Sequence, residues 1–372
     1  MVRPINLGII GLGWVARDFM LPAIVRAGAD RVILKAVVSK RPEDFRGLGP
    51  QTLRYTELEP CLAEVELDAV YIATPNHLHQ RQAVACLAAG IHVLCEKPLA
   101  PTYAEVETMR AAALEHDRLL ITAFDQRHHP AHRRMREFVR SGRLGTPTQA
   151  RIDYACWLPR EWSGDNWRID PVRAGGGAII DLAPHGLDLL EFLLDDRITE
   201  LHCFDQAKVQ DYSVDDGGIL TARFASGTLA SQTVAYNRPE TLPRRRLELI
   251  GTGGMLLAEN TMGQDPGGRL TFTDAAMGET SILAFDAGGS PFYYQLLSFL
   301  DRIAENPHNN ADLDRALALT RLLPYGRGLP PPAAPPAPPA APPAPPGVQE
   351  GRGKPYPYSG DGMDYVDVLN ND

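Results

Sequence analysis

Along the first 123 residues, short apolar runs alternate with amphipathic stretches. Ile5–Ile10 reads as the kind of apolar run that a strand buried on both faces requires. A helix follows from about Trp14 to Ala27, stopped by Gly28. Val32–Val38 and Asp68–Thr74 are the next strands, and His77–Ala89 is a helix ending at Gly90. Ile91–Cys95 and Leu119–Ala123 repeat the strand pattern, with a helix over Thr102–His116 between them. Strand, crossover, strand in this order predicts a doubly wound parallel sheet with helices on both faces.

After Ala123 the rhythm changes. Helices are expected near Ala131–Ser141 and Leu182–Leu194. Alternating strands follow at His202–Gln210, Gly218–Phe224, Thr228–Tyr236, Arg244–Ile250, Met255–Ala258 and Arg269–Phe272, with turns at Gly227 and Gly251–Gly254. This predicts an α+β domain around a large open, mostly antiparallel sheet. Amphipathic helices over Phe292–Ala304 and Asp312–Leu323 close it. The expected division is residues 1–123 for a first domain, 124–328 for a second, 329–346 for a linker and 347–372 for a disordered acidic tail. Pro330 to Pro346 is only proline and alanine, too poor in backbone donors for helix or sheet, so it reads as an extended spacer. Tyr356, Tyr358 and Tyr365 in the tail leave room for a protein partner.

Composition narrows the function classes. The chain has 372 residues, 44% hydrophobic and 22% charged, with a formal net charge of −9, which argues against nucleic acid as a partner. The basic run Arg133-Arg134-Met135-Arg136 reads as a solvated helix face. No stretch approaches the length of a membrane span. The N-terminal apolar run lacks a cleavage site and reads as a strand. The five cysteines, with no Cys-x-x-Cys, read as reduced thiols of a cytoplasmic protein.

Gly11, Gly13 and Ala16 form G-x-G-x-x-A between a strand and a helix. Gly11 allows the tight turn, Gly13 lets backbone approach a pyrophosphate, and Ala16 lets the helix pack on the sheet. Trp14 and Val15 belong to the same dinucleotide-binding turn. At the end of the second strand stand Ser39, Lys40 and Arg41, a hydroxyl and two cations, where an NAD site carries a carboxylate. That predicts NADP(H) over NAD(H). Glu96-Lys97-Pro98 follows the fourth parallel strand of this reading, on the carboxyl edge where ligands bind, so Lys97 can donate to a reacting oxygen. Asp181 and His185, four apart, fall on one helical face, where the carboxylate can orient the imidazole or hold charge nearby. His128, His129 and His132, or His77 with His79, lack a matching carboxylate or cysteine pattern, so no metal is expected.

In order, Gly8-Ile-Ile-Gly-Leu-Gly13, Ala73-Thr-Pro-Asn-His-Leu-His79, Glu96-Lys-Pro98 and Gly175-Gly-Gly-Ala-Ile-Ile-Asp181-Leu-Ala-Pro-His185 resemble the Gfo/Idh/MocA family of sugar and cyclitol oxidoreductases. The resemblance runs from Ile5 to about Leu322. It implies a Rossmann domain followed by an α/β domain whose open sheet often forms an oligomer interface, hence a homodimer or homotetramer. It implies that Thr74, Pro75, Asn76, His79 and Glu96 line the cofactor channel. It also implies a cis bond before Pro98, Lys97, Asp181 and His185 as the catalytic group, and Arg127, Trp167 and Arg168 at the substrate. An aromatic face and a fork of donors suit a sugar. Trp157 and Trp162 read as packing, and Asp188 as a supporting or surface residue. The expected activity is hydride transfer between NADP(H) and a carbinol or ketone carbon of a sugar, keto-sugar or cyclitol. Two other readings stay open: reduction of a conjugated C=C or C=N, as in biliverdin reductase relatives, and a non-catalytic dinucleotide sensor. Pro324 ends the last helix earlier than relatives do, which predicts incomplete packing there.

Overall fold

A computed structural model describes residues 3–323, apart from Gly164, Asn306, Pro307 and Asn309. The expected linker and tail at 329–372 lie outside the described residues. No helix among the described residues is long and apolar enough to cross a membrane.

The first sheet is parallel: β1 (Ile5–Ile10), β2 (Val32–Val38), β3 (Leu53–Tyr55), β4 (Ala69–Ile72), β5 (His92–Cys95) and β6 (Leu120–Thr122). Their order is β3-β2-β1-β4-β5-β6. Winding reverses between β1 and β4, which opens a crevice at the carboxyl ends of the strands. Helices α1 (Leu21–Ala27), α2 (Leu58–Glu64), α3 (Asn76–Ala88) and α4 (Tyr103–Glu115) connect the strands. The turn before α1 widens into a π turn over Ala16–Met20, next to Pro22, which cannot donate to the carbonyl four residues back. A reciprocal cap between Thr102 and Glu105 starts α4. Strand β3 and helix α2 were absent from the sequence expectation.

The second sheet comprises β7 (Pro147–Ala155), β8 (Ile198–Gln206), β9 (Gly217–Phe224), β10 (Leu229–Ala235), β11 (Arg245–Gly251), β12 (Gly254–Glu259), β13 (Arg269–Asp274) and β14 (Thr280–Ile282). Its order is β14-β13-β12-β11-β7-β10-β9-β8, and only the β7/β10 pair is parallel. The central strand β7 was also missing from the sequence expectation. Helices α5 (Pro130–Arg140), α6 (Pro171–Ala174) and α7 (Ala178–Leu194) complete this half. Inward residues of alternating strands, such as Ile152, Leu220, Phe224, Leu247 and Leu249, pack with Ile179, Ala183, Leu187 and Leu190 of α7. Each fully buried Leu or Ile contributes about 1.5–3 kcal/mol.

The last two helices return to the parallel sheet. Phe292, Leu296, Phe299 and Leu300 of α8 (Pro291–Glu305) join the core of Leu7, Ile9 and Met20. Leu313 and Ala316 of α9 (Ala311–Leu322) join Val93, Val106 and Leu120. Leu319 and Leu323 sit in the core of the second sheet. The incomplete packing expected for the last helix is therefore not observed: α9 is wedged between both halves.

Candidate active site

A cleft of about 1280 Å³ runs from the carboxyl edge of the parallel sheet to the start of α7. At its dinucleotide end Gly11 has φ +89°, and a Cβ there would lie 2.7 Å from Cγ2 of Thr74. A Cβ on Gly13 would meet nothing within 4 Å. One glycine makes the turn, the other leaves space above it, so this cradle fits a dinucleotide. Gly11, Gly13, Trp14 and Val15 all line the cleft, as do Thr74, Pro75, Asn76, His79, Glu96 and Lys97. Thr74 donates to Gln82 at 2.6 Å, and Asn76 donates to the Ala174 carbonyl at 2.8 Å.

Ser39, Lys40 and Arg41 line the same end. The expectation that no carboxylate stands there is corrected by Asp44. The short turn Pro42–Phe45 folds Asp44 back, so that Ser39 donates to its Oδ2 at 2.6 Å and Arg41 at 3.2 Å, and Arg17 donates to Oδ1 at 3.0 Å. Asp44 also lines the cleft.

His79 is fully buried between two carbonyls, 2.8 Å from Thr74 O and 3.0 Å from Pro98 O. The ring sits between the loop after β4 and the loop after β5, and burial lowers its pKa against the pull of the two carbonyls. The Lys97–Pro98 bond is cis. Tyr71 donates to Glu96 at 2.6 Å. Burial pushes the Glu96 carboxyl up to about 7, against the pull of Lys97 and Tyr71.

Helix α7 begins four residues earlier than its apolar periodicity predicts. Asp215 caps it, accepting from Gly177 N–H and Ile179 N–H at 2.8 Å each. A Cβ on Gly177 would lie 1.9 Å from the Asp215 carbonyl oxygen, so close approach demands glycine here. This start puts Asp181 in the first turn. Lys97 Nζ donates to Asp181 Oδ1 at 2.6 Å and to its carbonyl at 2.9 Å, and Tyr236 donates to Oδ2 at 2.6 Å. Burial alone would raise the Asp181 carboxyl. Lys97, Arg168 and the two hydrogen-bond donors outweigh it and hold the group well below the usual carboxylate range.

His185, one turn on, lines the cleft; Asp181 engages Lys97 rather than orienting the ring, so of the two roles its spacing allowed, orienting the imidazole is not observed. Its Nδ1 faces Asp125 at 3.3 Å, and its ring meets Tyr154 edge-on at 5.6 Å. Trp167 and Arg168 line the cleft, the guanidinium lying 4.6 Å from the Trp167 ring centre and 5.0 Å from that of Trp162. Trp157 and Trp162 also line it; Trp162 packs against the core of the second sheet, as read for it, and meets Trp14 edge-on at 5.8 Å. Arg127 is not among the cleft-lining residues. It is ion-paired with buried Asp188 and, at 3.0 Å, with Asp312, which removes it from the expected substrate contact. Tyr236, Asp125, Tyr154, Asp44 and Asp215 were missed, because nothing in their local spacing marks them.

Together, the doubly wound sheet, glycine cradle and paired lysine define a dinucleotide-binding oxidoreductase. A family model described as "Oxidoreductase family, NAD-binding Rossmann fold" matches residues 5–124, and the "GFO/IDH/MocA C-terminal domain" matches residues 132–257. The chain belongs to the Gfo/Idh/MocA family. It is 35% identical to 1,5-anhydro-D-fructose reductase of Ensifer adhaerens over 272 residues, 72% of this chain and 80% of that one. It is 24% identical to myo-inositol 2-dehydrogenase of Thermotoga maritima over 312 residues, 81% and 84% of the two chains. Among solved structures, aldose-aldose oxidoreductase from Caulobacter crescentus superposes with a TM-score of 0.75 at 23% identity, covering 88% of this chain and 98% of that one.

Proposed function

We propose that this protein is an NADPH-dependent oxidoreductase acting on a carbinol or ketone carbon of a sugar, keto-sugar or cyclitol, with ketone reduction as its working direction. The observation that carries the reading is that Lys97, locked by Asp181, and His185 line one cleft with the glycine cradle. When bound, the nicotinamide supplies or accepts the hydride.

The protein's own groups handle charge and proton. An ammonium has three donors, and Asp181 engages two of those of Lys97, which leaves the third for the reacting oxygen. That donor stabilises negative charge as it builds on the oxygen. His185 exchanges the hydroxyl proton. Trp167 offers an apolar face and Arg168 a fork of donors for sugar hydroxyls. The relatives named for anhydrofructose and inositol support a polyhydroxylated ring as substrate. NADPH preference is supported by Arg41 and Lys40 on the cleft wall, and by Asp44 being already engaged by Ser39, Arg41 and Arg17.

The test is NADPH oxidation with a panel of keto-sugars, wild type beside Lys97→Met and His185→Ala. Turnover in the wild type and its loss in both variants is expected. Tight NADPH binding with no turnover of any carbonyl compound would overturn the reading in favour of a sensor.

A further inference from the structure

Asp125 opens the short turn Asp125–His128 after β6 and is 3% exposed. Its Oδ2 accepts from Gln126 Nε2 at 2.9 Å. The Gln126 amide is itself clamped to Gly263, donating to its carbonyl at 2.7 Å and accepting from its N–H at 3.3 Å. With the Gln295 amide on α8 turned so that its oxygen meets donors, that oxygen accepts from the Asp125 backbone N–H at 3.0 Å. The carboxylate is thus held at Oδ2 by Gln126, and its Oδ1 lies 3.3 Å from Nδ1 of His185. That nitrogen is buried and has no hydrogen-bond partner among the described residues. Leaving such a group unmade is costly, and the pair stands within hydrogen-bond distance, needing alignment rather than approach.

Other titratable or charged groups surround this pair. Tyr154 comes from β7 with Arg245 behind it, the Lys97–Asp181 pair precedes His185 by one turn, Glu96 with Tyr71 borders the sheet side, and His128 and His129 flank Asp125. Among the described residues, Asp125 is the acid within ion-pairing distance of the His185 ring.

We propose that Asp125 is the positioning residue of His185. It holds a proton on Nδ1 and turns Nε2 toward the substrate. In ketone reduction the Nε2 proton passes to the carbonyl oxygen as hydride reaches the carbon, while Nδ1 keeps its proton against Asp125. Asp181 is left to serve Lys97. The two carboxylates therefore divide the work, one for the ammonium and one for the imidazole. This inference rests on the acid–base role proposed for His185.

The test uses the full chain. Nitrogen-15 spectra of the histidine-labelled protein, recorded without substrate, should show neutral His185 protonated on Nδ1. Asp125→Asn should lose that preference and lower kcat about a hundredfold, with KM changed less than about threefold. Asp125→Glu should recover part of both the tautomer preference and kcat. Wild-type His185 protonated on Nε2 overturns the inference, as does a folded Asp125→Asn variant with wild-type kcat. The wild-type spectrum decides even if the variant does not fold. It needs no turnover, so it separates failure here from failure of the proposed activity.

Discussion

Lys97 meets Asp181 twice, its ammonium 2.6 Å from the carboxylate and 2.9 Å from the same residue's carbonyl oxygen. An ion pair this enclosed fixes the direction of a flexible four-carbon chain, and removing either partner leaves a charge uncompensated. Lys97→Met should therefore lower kcat for ketone reduction by about 10²- to 10³-fold, the scale of losing one donor to a developing oxyanion. Steady-state rates at saturating NADPH check this. A variant within about fivefold of wild type would exclude the lysine from the chemical step.

Tyr236 holds the other carboxylate oxygen of Asp181 at 2.6 Å. Tyr236→Phe removes the donor without changing ring volume. The expected loss is about 1.5–3 kcal/mol in urea unfolding, the range for hydrogen bonds to charged groups. It should be much smaller in an Asp181→Asn background, because the two residues share one network. Equal losses in both backgrounds would show that the hydroxyl acts elsewhere.

How far the sequence speaks for itself depends on whether a residue acts locally. Ile5–Ile10 was legible because a strand buried on both faces must be apolar throughout. The roles of Gly11 and Gly13 were legible because their geometry is set within one turn. Strand β7 was not, because its buried residues Ala150, Ile152 and Tyr154 are interleaved with polar Gln149, Arg151 and Asp153 after Pro147-Thr148, a largely polar run that imitates a loop. Asp181 and His185 were found by their spacing, but the spacing left open whether the carboxylate orients the ring or holds charge nearby: each side chain reaches across to another element, to Lys97 and Asp125 respectively. Asp44 and Arg127 show the same limit in opposite directions, one folded into the cleft and the other drawn out of it by Asp188 and Asp312.

Glu96 gives the fold a pH signature. Burial raises its carboxyl from the ordinary 4.5 to about 7, so the native state binds this proton more tightly than the unfolded chain does. The stabilisation is complete below pH 4.5 and lost as pH rises through about 7, with a ceiling of about 3 kcal/mol. The melting temperature of the wild type should therefore fall relative to Glu96→Gln between pH 5 and pH 8. Parallel curves across that window would place the proton on another group.

Cofactor choice is the most separable claim. NADPH should bind at least about tenfold tighter than NADH, a difference of about 1.4 kcal/mol. Ser39→Asp should reverse the order, and Arg41→Ala should weaken NADPH alone. Fluorescence titration of the full chain measures all three. Equal affinity for both dinucleotides in the wild type would mean that Asp44, not the two cations, governs the ribose end.

The central claim is hydride delivery to a sugar carbon beside Lys97 and His185. It is tested most directly by incubating the protein with NADPH carrying deuterium at the transferable C4 position and a keto-sugar, then locating the label by NMR. Deuterium is expected on the new carbinol carbon with the wild type and essentially none with Lys97→Met. Label on a former C=C or C=N carbon of an alternative substrate, with every ketone left unreduced, would contradict it.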